Sequence, residues 1–110
     1  MKIKINGKEH ALKFGLNSAR LYCKDRDIEL WEYEKDLSKL DFENFNTIEQ
    51  VEILGTMIYT AIKSVDENTE VKLGEIIDNF SDAEFLKSIF KEFLESNPKS
   101  DGKESPTKKK

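Results

Sequence analysis

The dipeptide Asn6-Gly7 constrains this chain more than any other feature. It stands between two short runs, MKIKI and KEHALKF, in which apolar and polar residues alternate. A two-residue loop of that composition takes a type I′ turn, with positive φ at both positions. The turn sets the register: Ile5 opposite Lys8, Lys4 opposite Glu9, Ile3 opposite His10 and Met1 opposite Leu12. One face of the hairpin then carries Met1, Ile3, Ile5, His10, Leu12 and Phe14. The other carries Lys2, Lys4, Glu9, Ala11 and Lys13. A two-stranded sheet with one apolar face is not stable alone, so the following segments must cover it.

Those segments read as helices, and no proline interrupts the chain before Pro98. Gly15 ends the strand. LNSARLYCKDRD predicts a short helix capped by Asn17, with Ala19, Tyr22 and Cys23 on one side. A helix over about residues 28–39 places Trp31, Leu37 and Leu40 in partly buried positions. The central helix opens with a T-x-x-Q capping box, Thr47 and Gln50. Its apolar stripe is Ile48, Val51, Leu54, Ile58, Ala61, Ile62 and Val65, widened by Met57. Gly55 costs this helix about 0.5–1 kcal/mol relative to Ala, which points to close packing. After the polar loop DENTE, VKLGEIIDNF turns Leu73, Ile76, Ile77 and Phe80 inward. SDAEFLKSIFKEFLES opens with a second capping box, Ser81 and Glu84. Its stripe is Phe85, Leu86, Ile89, Phe90, Phe93 and Leu94.

The expected fold is therefore α+β and mostly helical: an N-terminal β-hairpin packed on a cluster of four to five helices. Residues 1–95 form a single domain, and 96–110 form a disordered tail rich in lysine, serine and proline. A chain this short buries roughly 60–70% of its unfolded surface, so it has one modest core. Charged residues make up 36% of the chain, above the usual share of about 25%.

The charge is unevenly placed. Residues 96–110 hold five lysines against Asp101 and Glu104, a charge of +3, while the body holds 13 basic and 20 acidic residues, a charge of −7. An acidic body argues against nucleic acid, whose binding needs a basic face. One cysteine, Cys23, excludes an internal disulfide. No apolar run approaches 18 residues, so no membrane span is expected.

Catalytic chemistry is sparse. His10 is the only histidine, and the register sets it among apolar neighbours as a structural residue. With Cys23 it makes no zinc-type spacing. Cys23 lies on an apolar helix face and reads as a core thiol. The scattered glycines form no phosphate loop. The carboxylates belong to solvated helix faces. Neither enzymatic activity, nor a cofactor, nor a metal is expected. Trp31, Tyr33 and Tyr59 are the candidate partner-binding residues, because aromatic side chains anchor protein interfaces. The residues alone describe an acidic α+β domain that binds another protein.

The stretch KIKINGKEHALKFGLNSARLYCK resembles the start of the tail assembly chaperones of long-tailed (siphovirus-type) bacteriophages. That family begins with a hairpin of the form K-I-x-I-N-G-K-E-Y-x-L-K-F, then a glycine and a short helix. The likeness continues at Ile58, Tyr59, Ala61, Ile62 and Lys63, then at Leu73, Glu75, Ile76, Ile77 and Asp78, and in the last helix. It covers most of residues 1–95 and is weakest over 24–46. His10 stands where the family commonly has an aromatic. The resemblance implies a chaperone that coats the apolar, helical tape measure protein and keeps it soluble. It also implies weak lateral self-association, action in the host bacterial cytoplasm, and absence from the mature virion. The rival reading is a small acidic regulatory protein that inhibits one partner enzyme stoichiometrically.

The family further implies a longer product, made by ribosomal frameshift, that recruits tail tube subunits. Lys108, Lys109 and Lys110 fit that implication, since consecutive lysine codons are adenine-rich and slippery. The gene is expected to carry a slippery heptamer there, with an overlapping downstream frame. Mass spectrometry of infected cells should find peptides crossing the junction; their consistent absence rejects the frameshift.

Overall fold

The hairpin forms in the register that its turn dictates. A computed structural model describes residues 1–96. Strand β1 (Lys2–Ile5) pairs antiparallel with β2 (Lys8–Ala11), with Ile3 opposite His10 and Ile5 opposite Lys8. Asn6 and Gly7 have φ of 55° and 80°. The Leu12 N–H donates to the Met1 carbonyl at 3.0 Å and extends the ladder. Ile3, Ile5 and Leu12 are buried, while His10 and Phe14 are half-buried.

Helix α1 (Leu16–Arg26) starts earlier than expected. Gly15 is its N-cap, not Asn17. The Ser18 hydroxyl accepts from the Gly15 N–H at 2.9 Å and donates to the Gly15 carbonyl at 2.8 Å, so the first turn is already closed. Asn17 instead receives two bonds from the Arg20 guanidinium. Asp27, left-handed at φ 58°, ends α1. An aspartate tolerates that conformation better than most residues.

Helix α2 (Leu30–Ser38) turns Tyr33, Asp36 and Leu37 toward α1 and the core. Trp31, expected to be partly buried, is 64% exposed. Two residues along a helix turn the direction by about 200°, so Trp31 and Tyr33 face opposite ways.

Helix α3 (Ile48–Val65) is buried on nearly all sides. Thr47 Oγ1 accepts from the Gln50 N–H at 3.1 Å, which is half of the expected capping box. The Gln50 side chain does not reach back. It is buried and bonds the Asp41 N–H and the Asn44 carbonyl, pinning the preceding loop. Ile48 and Val65, expected in the buried stripe, are 79% and 50% exposed because the ends of α3 overhang the core. Ile53, outside the expected stripe, is fully buried. Thr60 is buried too, and its hydroxyl donates to the Thr56 and Met57 carbonyls.

Helix α4 (Leu73–Asp78) leads through a 3₁₀ turn, Asn79–Ser81, into α5 (Ala83–Ser96). The cap of α5 is Asp82, not the expected Ser81. Asp82 Oδ1 accepts from the N–H groups of Glu84 and Phe85 at 3.0 and 3.3 Å. The 3₁₀ turn takes Ser81, whose hydroxyl donates to the Asp78 carbonyl. A carboxylate also suits the positive end of the helix dipole. Leu94, expected in the apolar stripe of α5, is 48% exposed. Apart from Ser96, the expected disordered tail lies outside the described residues.

Two apolar clusters flank α3. The first joins Ile3, Ile5 and Leu12 of the hairpin segment to Leu54, Ile58 and Ile62, with Val71, Ile76 and Ile89. The second joins Tyr22, Ile53, Met57 and Phe93. Phenylalanines close the remaining side: Phe90 stacks on Phe42 with centroids 4.0 Å apart, and Phe93 meets Phe14 edge-on at 5.5 Å.

Gly55 explains the approach of α4. A Cβ built there would lie 2.9 Å from Ile77 Cγ1 and 3.2 Å from Leu73 Cδ1. Gly55→Ala gains up to about 1 kcal/mol of helix propensity. Overpacking costs about 1–3 kcal/mol, so a net loss of about 1 kcal/mol is expected in urea titrations. Ile77→Ala removes the clashing atom, so the double variant should be less destabilised than the two single losses added together. Strict additivity would refute the contact.

Candidate functional site

The three aromatic candidates sit in different environments. Trp31 projects from the first turn of α2 beside Leu30, which is 53% exposed. The Lys35 ammonium lies 5.1 Å from the Trp31 ring centroid, one helical turn on. This contact leaves most of the indole open to a partner. Leu30 and Trp31 together make an apolar point at the end of a short helix.

Tyr33 belongs to the wall of the second cluster. Its ring meets Tyr22 edge-on, with centroids 5.3 Å apart. Burial pushes its hydroxyl up to about 12. Tyr33 is half-buried, so its ring contributes to this cluster and faces away from the side that carries Trp31.

Tyr59 lies half-buried on α3, where α1 passes alongside. Leu21, Lys24 and Asp25 of α1 line a shallow depression with Tyr59, Thr60 and Lys63. The Lys63 ammonium sits 5.5 Å from the Tyr59 centroid. Neither Trp31 nor Tyr33 lines this depression, so the three candidates do not converge on one site.

A polar chain that sequence reasoning missed joins α2 to its neighbours. The Tyr22 hydroxyl donates to Asp36 Oδ2 at 2.6 Å, and both residues are buried. Lys39 Nζ lies 3.7 Å from Asp36 Oδ1 and 3.1 Å from Glu49 Oε2. The chain thus ties α1 to α2 and α2 to α3. Burial, then the hydrogen bond to Asp36, pushes the Tyr22 hydroxyl far up from its ordinary value. The bond to Glu49, then its charge, raises the Lys39 ammonium. A polar residue three positions after Tyr33 and beside Leu37 was the only sign of Asp36 in the sequence, and many aspartates share it.

Cys23 is buried, and its thiol donates to the Glu29 carbonyl at 3.7 Å. Burial, then the charges of Asp36, Glu29 and Glu32, raise its pKa, which keeps it a thiol rather than a nucleophilic thiolate. His10 lines a depression at the hairpin end with Lys8, Glu70 and Glu75. Among the described residues no group of His, Cys, Asp and Glu is arranged to hold a metal, and no helix is long and apolar enough to cross a membrane.

Comparisons with protein-family models, with curated proteins and with solved structures find no match to this chain.

The buried phenols set an alkaline limit. Both Tyr22 and Tyr33 titrate above the unfolded value of about 10. Their contribution to stability is full below pH ~10 and is lost as pH rises above it, for Tyr33 up to about 12 and for Tyr22 beyond that, because only the unfolded chain ionises readily. Tyr33→Phe should flatten the fall of the thermal midpoint across that window while leaving neutral pH little changed. An unchanged slope would show that Tyr33 is solvated.

Proposed function

We propose that this protein is a tail assembly chaperone that covers an apolar helix of a tape measure protein in the bacterial cytoplasm. The observation that carries the reading is the adjacent pair Leu30–Trp31, exposed at the start of α2 in a chain that is otherwise 36% charged. An extended apolar helix aggregates in water unless a partner covers it. Helix-in-groove contact offers that cover, and a buried tryptophan is the usual energetic anchor of such a contact.

The resemblance of the hairpin and of the central and last helices to the chaperone family supports the same reading. So does the acidic body, which keeps a complex with an apolar partner in solution. The remaining exposed apolar side chains, among them Leu16, Ile48 and Val65, offer further contact points at helix ends. They also offer surfaces for the weak self-association that coating a long partner requires. Recruitment of tail tube subunits falls to the longer frameshift product.

Co-expression with overlapping fragments of the tape measure protein encoded in the same gene cluster tests the reading. At least one fragment should become soluble and co-purify. Trp31→Ala should weaken that complex by at least about 2 kcal/mol, roughly thirtyfold, with the domain still folded. Fragments that stay insoluble, or that bind the wild type and Trp31→Ala alike, would overturn it.

A further inference from the structure

We propose that the seam between α1 and α3 binds an acidic segment of a partner protein. This surface is separate from the Leu30–Trp31 point. Three depressions run along the seam, of about 230, 320 and 290 Å³. The first and second share Asn17 and Ser64, and the second and third share Leu21, Lys24 and Lys63, so they are one continuous groove. From Leu16 to Asp25 the groove follows α1 for about 14 Å at 1.5 Å per residue. That length accommodates between two and three turns of a helix.

The charge of the groove opposes that of the body. Lys13, Arg20, Lys24 and Lys63 line it against Asp25 and Glu67, a balance of +2 on a domain of −7. Among the described residues the ion pairs are Lys2–Glu9, Lys39–Asp36 and Lys39–Glu49. None of the four groove cations takes part in one. Arg20 is steadied by Asn17, which is neutral and leaves its charge uncompensated. Lys63 is poised over the Tyr59 ring. A groove of net charge +2 on an acidic domain, whose four cations form no ion pair among the described residues, presents a complementary surface for carboxylates.

The floor adds an apolar requirement. Leu21 and Tyr59 are half-buried and face the groove between the cations. A matching segment therefore presents an apolar side chain to Leu21 and Tyr59, with flanking Glu or Asp opposite Arg20, Lys24 and Lys63. Nucleic acid fits less well, because a domain of net charge −7 repels a phosphate polymer beyond the groove.

Two synthetic peptides test the proposal on the full chain. Both are about 18 residues long, above the length at which isolated helices are marginal. They share leucines at three- and four-residue spacing; one carries Glu at its polar positions and the other Lys. The Glu peptide should shift the amide resonances of Arg20, Lys24, Tyr59 and Lys63, and its affinity should fall as salt rises from ~0.05 to ~0.5 M. Lys24→Glu/Lys63→Glu should bind the Glu peptide about tenfold more weakly and the Lys peptide more tightly, with the domain still folded. Trp31→Ala should leave the Glu-peptide affinity unchanged, which separates this groove from the apolar contact. Equal binding of both peptides, or shifts centred on α2, would overturn the proposal. So would tighter binding of a single-stranded oligonucleotide. Loss of self-association in the double variant, with Glu-peptide affinity retained, would reassign the groove to a second copy of the chain.

Discussion

Burial of α3 on both flanks is the constraint on which the rest of the structure depends. The hairpin has one apolar face and cannot stand alone, α4 is six residues long, and α1 and α2 are short. None of these elements is stable in isolation, since short helices in water are marginal. Each becomes stable by packing against Ile53, Leu54, Met57, Ile58, Ala61 or Ile62. Gly55 removes a side chain where α4 crosses, and Thr60 returns its hydroxyl to the helix's own carbonyls. A central helix with these adaptations is greasy on almost every side.

The outer helices inherit their roles from that arrangement. Because α1 and α3 lie side by side, the cations of α1 and Lys63 line one groove. Because α2 is held inward by Tyr33, Leu37 and the Tyr22–Asp36 hydrogen bond, its opposite side presents Trp31. The two proposed contact surfaces are thus outward consequences of inward packing. The acidic surface elsewhere keeps both available in solution.

Local signals were legible where the chemistry was local. The Asn6-Gly7 turn specified the hairpin register to the residue, because side-chain alternation leaves only one pairing that buries Ile3, Ile5 and Leu12. The glycine in the middle of the central helix signalled a close approach, and α4 supplies it. Helix caps were read less well. Asn17 and Ser81 have the right chemistry for a cap, but Gly15 and Asp82 occupy the cap positions. Several polar residues near a helix start compete, and the entry angle of the chain chooses among them. Gln50 likewise had a plausible local partner and took a tertiary one.

The sequence by itself determined the element types, their order, the hairpin register and the apolar residues available for a core. Each of these follows from backbone preference and periodicity within a window of a few residues. Only the tertiary structure decided that Trp31 is exposed, that Ile48 and Val65 overhang the core, that Asp36 is buried against Tyr22, and that Lys13, Arg20, Lys24 and Lys63 share a groove. Those outcomes depend on which helix faces meet, and periodicity describes a face without naming what covers it.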